Sequence, residues 1–283
     1  MNTNLSLKNW IEQAHTALTA QRPDEPRSSI YALLEKHIER SRAYILSHPE
    51  HSLDGNTITA LEHDLGQLLR GEPLAYILGK WEFYGLPLQI TPDVLIPRPE
   101  TELLVENALH ILKKQKTHAT IADVGTGSSC ISLALAVNNA NLKIIASDIS
   151  HAALQVAKAN IQQHHCQERV FLVQCDLLEA VKAQFDLICA NLPYIPSAEL
   201  HNYEVTAHEP ELALDGGLNG IVFIDKLLQQ AKELVRENAC ILLEFQFDQA
   251  ERIREHSYLH FPNADVIIKQ DLAGHDRLAI IQL

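Results

Sequence analysis

The stretch TIADVGTGSSCISLALAVNNANLKIIASD, Thr120–Asp148, decides the fold. An apolar run ends in Asp123-Val124-Gly125, as a short buried strand would, and glycines at 125 and 127 let the backbone turn tightly and lie close to a ligand. The segment after them reads as a helix, whose first N–H groups have no partner within the helix and face the same turn. Leu142 to Asp148 reads as a second strand. An acid at its tip, roughly twenty residues beyond the glycines, can accept hydrogen bonds from both hydroxyls of a ribose. The stretch therefore predicts a strand–helix–strand unit built around a nucleoside-bearing cofactor.

The pattern continues toward the C-terminus. RVFLVQCD, FDLICAN and ACILLEF read as further strands, separated by helical stretches at 150–164 and 220–235. Apolar strands alternating with helices imply a parallel sheet covered on both faces. ADVIIKQ and RLAIIQL, joined only by DLAGHD, are close enough to pair antiparallel. The prediction is an α/β, Rossmann-like domain over residues 99–283, with about seven strands and a terminal antiparallel hairpin. Residues 1–71 show only helical spacing, with PRSSIYALLEKHIERSRAYILSH as one continuous pattern and Thr57 or Thr59 as the N-cap of the helix after it. Residues 72–98 alternate aromatic and β-branched positions around Gly79, Gly85 and Pro87, which predicts a β-hairpin linker.

Composition narrows the functional class. The 283 residues are 46% hydrophobic and 21% charged, as in a soluble globular protein. No basic stretch precedes an apolar one at the N-terminus, and no window of about 18 residues is uninterruptedly apolar. The five cysteines form no CxxC pair and read as reduced thiols of a cytoplasmic protein. A net charge of −13 argues against direct binding of nucleic acid, because phosphate contacts depend on Lys and Arg. His164-His165-Cys166 lacks a second ligand pair at zinc-like spacing, so no metal is expected.

Two features choose the cofactor. A dinucleotide fingerprint needs glycine at position 130, where this chain has Cys130. Asp123, near the turn, suits a cationic ligand better than a pyrophosphate. Both favour S-adenosylmethionine over NAD. The fourth strand of this half then ends in ICANLPYIP, Ile188–Pro196, which places Asn191 at the edge of the same crevice. An amide or exocyclic amino nitrogen is a poor nucleophile, since its lone pair is delocalised, so it must be held against a methyl donor in a fixed geometry. The side-chain oxygen of Asn191 and the carbonyl of Leu192 can each accept one of its N–H bonds. Pro193 stiffens the turn, and Tyr194 offers a flat face for a planar group.

The pattern Asn or Asp, Pro, Pro, then Tyr or Phe marks methyltransferases that act on planar amino groups. Over nearly its whole length the chain resembles the HemK/PrmC family, the protein-(glutamine-N5) methyltransferases of peptide chain release factors. The resemblance is carried by GEPLAYILGKWEFYGLPLQITPDVLIPRPETELLVE at 71–106, DVGTGSSCISLALA, HEPELALDGG at 208–217 and DLAGHDR at 271–277. It implies that Gly125, Thr126, Gly127, Ser128 and Ser129 line the methionine part of S-adenosylmethionine, with Asp123 nearby. Asp148 would hold the ribose, and Asp176 or Leu177 would flank the adenine. Asn191, at the border of cofactor and substrate, would hold the glutamine with Leu192, Pro193 and Tyr194. The implied substrate is the glutamine of the Gly-Gly-Gln motif in class 1 release factors, with residues 1–71 helping to grip that partner. The chain departs from the family pattern at Leu192, usually proline, and Ser129, usually glycine. A base-methylating enzyme, a silent binding relative and an NAD-dependent oxidoreductase are the rival readings. Glu100, Glu209, Glu244 and Arg277 are left as either substrate contacts or braces.

Overall fold

The structure is a computed structural model and describes residues 5–114, 118–202 and 207–283. Two compact units divide the chain, one ending at Lys80 and the next starting at Trp81. The first holds β1 (Leu5–Ser6), α1 (Leu7–Gln21), α2 (Ser28–Ile38), α3 (Arg42–Ser47), β2 (Ser52–Leu53), α4 (Gly55–Leu69) and α5 (Leu74–Leu78). Its core is apolar and helical, with Trp10, Ile30, Leu33, Leu34 and Leu61 buried.

Four local expectations fail in this unit. The continuous pattern at 26–48 is two helices, because Glu39 adopts a left-handed conformation (φ 51°) and Ser41 starts α3 by accepting from the Tyr44 N–H. The cap of α4 is Asp54 rather than either threonine; its carboxylate accepts from Asn56 and Thr57 N–H at 2.9 Å each. A two-residue ladder, β1 against β2, occurs where no strand is expected. Finally, Leu74–Leu78 is a helix instead of a hairpin arm. Pro73 precedes it, Gly79 closes it at φ 68°, and Ala75, Tyr76 and Ile77 are buried in succession.

The hairpin itself is β3 (Lys80–Phe83), which starts on the last residue of the first unit, and β4 (Leu86–Gln89); its turn residues Tyr84 and Gly85 both have positive φ. Asn160 fastens this hairpin down: its side chain accepts from Gln89 N–H at 2.7 Å and donates to the carbonyls of Gln89 and Ser128 at 3.0 Å. A short 3-10 turn, Pro99–Thr101, leads into α6 (Glu102–Lys114). There follow β5 (Ala119–Val124), α7 (Cys130–Asn138), β6 (Leu142–Asp148), α8 (His151–Gln163), β7 (Val170–Gln174) and β8 (Phe185–Ala190). The unit ends with α9 (Val222–Ala231), β9 (Val235–Glu244), α10 (Ala250–His260), β10 (Asp265–Gln270) and β11 (Asp276–Gln282).

The seven strands lie in the order β10-β11-β9-β8-β5-β6-β7, and only β11 runs antiparallel to its neighbours. This is the predicted sheet with its terminal hairpin. The winding reverses between β5 and β8, so their carboxyl ends flank a crevice. Register fixes what meets there: Val124 lies opposite both Ser147 and Ala190, and Ala190 lies opposite Leu243. One residue further, Asp148, Gly125, Asn191 and Glu244 arrive at one rim.

Candidate active site

A cavity of about 160 Å³ opens at that rim. The glycine turn forms its floor. Gly125 and Gly127 adopt φ of 70° and 52°, and both Gly125 and Thr126 donate N–H to the Ser147 carbonyl at 2.9 Å. A Cβ on Gly125 would lie 3.0 Å from Leu192 Cδ2, so the turn and the side chain of residue 192 are already in contact. Asp148 accepts from Gly127 N–H and Ser150 N–H at 2.9 Å, one on each oxygen, and each oxygen keeps lone-pair capacity toward the cavity. Burial pushes its carboxyl above the ordinary range, while those N–H groups act in the opposite direction. A carboxylate, a turn with close backbone access and the apolar side chains of Ile149 and Leu177 form a set of groups suited to a nucleoside.

Of the residues singled out from the sequence, Gly125, Thr126, Gly127, Ser128, Asp148, Asp176, Leu177, Asn191, Leu192 and Pro193 line this cavity. Three do not. Asp123 is completely buried; one of its oxygens takes the Thr126 hydroxyl at 2.7 Å and the Ser132 hydroxyl at 2.6 Å, and the other has no partner. Its carboxylate braces the turn from below instead of facing a ligand, and burial raises its pKa. Ser129 sits at φ 68° with its side chain buried, which gives the physical reason for glycine at this place in the family pattern. Tyr194 is not among the lining residues; Glu244, Arg277 and Arg98 are its charged neighbours, and burial pushes its phenol up.

Tyr194 takes this position because the backbone of the turn rests on two glycines. A Cβ on Gly216 would lie 2.7 Å from the Pro193 carbonyl oxygen, and one on Gly220 would lie 2.2 Å from the Tyr194 carbonyl oxygen. Gln249 also donates to that Tyr194 carbonyl at 2.8 Å. Gly216, within the motif at 208–217, and Gly220 just beyond it thus support the turn at 193–194. The motif's Glu209 is buried and braces the segment over the cavity, accepting from the Ile96 N–H at 3.2 Å and pairing with Arg98. Asp176 pairs with Lys226.

Asn191 donates from its amide nitrogen to the Thr101 hydroxyl at 3.1 Å. Thr101 lines the cavity together with Asp93, Val94, Leu95, Pro97 and Arg98, and none of these six is singled out from the sequence. Their segment lies within the 71–106 stretch that carries the family resemblance, but with Pro92, Pro97 and Pro99 and no periodicity it does not show by itself which of its residues meet the cavity. Among the described residues one cluster could hold a metal: Asp225 Oδ1 lies 2.6 Å from His256 Nδ1 and 2.7 Å from His260 Nε2. It stands between α9 and α10 as a hydrogen-bonded group outside the cavity lining. His164 instead contacts the Pro87 carbonyl at 2.8 Å.

Strand order, glycine turn and rim acid together define a class I methyltransferase fold. Residues 99–210 match the model of the methyltransferase small domain, and residues 9–79 match the PrmC N-terminal domain. A solved methyltransferase from Pyrococcus furiosus shares this fold with a TM-score of 0.51 at 16% identity, over 80% of this chain and 97% of that one. The chain is 38% identical to the release factor glutamine methyltransferase of Coxiella burnetii, over 98% of both proteins. It is 33% identical to the protein of the same name from Aliivibrio fischeri, over 99% of this chain and 98% of the relative. The chain belongs to the HemK/PrmC family of release factor glutamine methyltransferases. Among the described residues no helix is long and apolar enough to cross a membrane.

Proposed function

We propose that this protein transfers a methyl group from S-adenosylmethionine to the side-chain amide nitrogen of the glutamine in the Gly-Gly-Gln motif of a class 1 release factor. The observation that supports this reading is the single cavity onto which both the Asp148–glycine-turn end and the Asn191–Pro193 end open. When bound, the cofactor supplies an electrophilic methyl group. The chain's own residues do the rest. Asp148 would accept from ribose hydroxyls, while Gly125 and Gly127 would let the backbone lie against the remainder of the cofactor. Asp176 or Leu177 would flank the base.

Asn191 Oδ1 and the Leu192 carbonyl would each accept one N–H of the substrate amide and so hold its nitrogen in a fixed orientation for transfer. Leu192 keeps the acceptor that this role needs, and its packing on Gly125 supplies rigidity that a proline would otherwise give. The N-terminal helical unit grips the release factor, and the enzyme works in the cytoplasm. Purified protein, labelled cofactor and a class 1 release factor test the proposal directly. Label should appear in the factor and vanish when the motif glutamine is changed to alanine. Label that persists on the altered factor, or none on the native one, overturns it.

A further inference from the structure

Behind Asn191 lies a carboxylate to which the proposed reaction gives no role. Ala190 faces Leu243 across the parallel pair β8–β9, so the next residues, Asn191 and Glu244, reach the rim side by side. Glu244 is only 2% exposed and does not line the cavity. Asn191 Nδ2 donates to Thr101 Oγ1 at 3.1 Å, and the Thr101 hydroxyl and the Asn191 amide are the polar neighbours that favour the charged form of Glu244. One oxygen, Oε2, has no partner. Folding tolerates a buried, half-satisfied carboxylate poorly, so its place beside the substrate-holding amide asks for a functional reason.

The reason lies in the shape of an asparagine side chain. Its oxygen and nitrogen ends are nearly the same size, so packing alone does not choose between two orientations half a turn apart. An ionised carboxylate can only accept. It therefore takes the Thr101 proton, which leaves Thr101 able only to accept from the Asn191 N–H. The direction of donation runs from Asn191 through Thr101 to Glu244, and Oδ1 of Asn191 is left on the cavity side. We propose that Glu244 is a positioning residue: with Thr101 it locks the Asn191 carboxamide so that Oδ1 meets the substrate amide. This rests on the reading of Asn191 as the amide-holding residue and adds what orients it.

A protonated Glu244 would itself donate, and the chain of hydrogen bonds would lose its direction. Burial pushes the Glu244 carboxyl up to about 7, against the Thr101 and Asn191 hydrogen bonds and the Arg277 charge; Glu100 acts with burial. Arg277 faces it from β11, Glu100 from the turn before α6, Tyr194 from the catalytic turn and Cys130 from α7. Burial keeps the last two neutral, the Cys130 thiol at about 12. Asp271 holds Arg277 in place at 3.4 Å, which gives the 271–277 motif a part in the same arrangement.

The test uses the full-length protein with Glu244→Gln and Glu244→Asp. In the wild type, kcat should fall as pH drops through about 7. Glu244→Gln should lower kcat by about tenfold or more at pH 8, flatten that acid limb and leave cofactor Kd within about twofold, while Glu244→Asp recovers part of kcat. Wild-type kcat in Glu244→Gln, or an acid limb that survives the substitution, overturns the proposal. A second readout needs no substrate. The Asn191 side-chain amide resonance, assigned by its loss in Asn191→Ala, should move with a midpoint near pH 7 in the wild type and stay still in Glu244→Gln. A resonance that stays still in the wild type overturns the positioning role whether or not a release factor is methylated. Failure to methylate any release factor would instead strike at the substrate reading.

Discussion

Replacing Gly216 with alanine should damage catalysis without placing an atom in the cavity, since Gly216 does not line it. The new Cβ would lie 2.7 Å from the Pro193 carbonyl oxygen, 2.7 Å from Tyr194 Cα and 2.8 Å from Gly220 Cα. All three are main-chain atoms, so no side chain can swing aside. Gly216 is outside the left-handed region, and alanine there suffers no strain of its own. Ordinary contact begins at 3.4 Å, so a 2.7 Å approach forces the catalytic turn back by about 0.7 Å. A displacement of 1 Å at a reacting centre costs about a hundredfold in rate, so 0.7 Å predicts a fall in kcat of roughly 25-fold. Overpacking should also lower stability by about 1–3 kcal/mol. Label transfer at saturating release factor measures the first and urea unfolding the second. Calorimetry should find cofactor Kd within about threefold, because Asp148 and the glycine turn are left alone. Gly274→Ala is the control: its φ is +83° but nothing lies within 4 Å, so backbone strain appears without loss of kcat. Wild-type kcat in Gly216→Ala would refute the idea that this glycine sets the position of residues 192–194.

Other substitutions separate the remaining parts. Asn191→Ala should abolish methyl transfer, because the substrate amide is no longer held on both N–H bonds, and leave cofactor affinity within about tenfold, because the ribose end is untouched; full activity would remove Asn191 from its role. Asp148→Ala should weaken cofactor binding by about 1–3 kcal/mol and also lower the melting temperature, since the N–H groups of Gly127 and Ser150 lose their acceptor; a titration showing unchanged Kd would count against the ribose contact. Ser129→Gly should stabilise by about 0.5–1 kcal/mol, as relief of a left-handed serine exceeds the added entropy of the unfolded chain. A lower urea midpoint would show that the 3.4 Å contact from the Thr126 hydroxyl outweighs the strain.

The sheet was legible because its strands are buried on both faces. FDLICA and ACILLE are nearly unbroken apolar runs, and the helices between them are long enough to show their period. The helix α5 was not, since five residues between Pro73 and Gly79 are too few for a period to emerge. Asp54 does not stand out as the cap in the sequence, because a cap is defined by which N–H groups it meets, and threonines nearby offer the same chemistry. At the site, the glycine turn and Asn191 are consecutive with the strands that carry them, so local reading found them. Thr101 lies ninety residues from Asn191 in sequence, and Glu244 meets it through the register of β8 on β9. No local pattern announces a long-range pairing. Asp123 and Tyr194 were placed at the right strand ends, but which way a side chain turns there depends on neighbours such as Ser132 and Gly216.

Asn160 gives the hairpin an importance that its four-residue strands do not suggest. One amide holds both ends of Gln89 and the Ser128 carbonyl, so moving the hairpin pulls on the loop beneath the nucleoside. If a ligand on either side shifts this shared link, the effect is reciprocal: whatever factor one imposes on the other's affinity is returned in full. For a protein seated against the hairpin, the bound nucleoside is then part of what it senses.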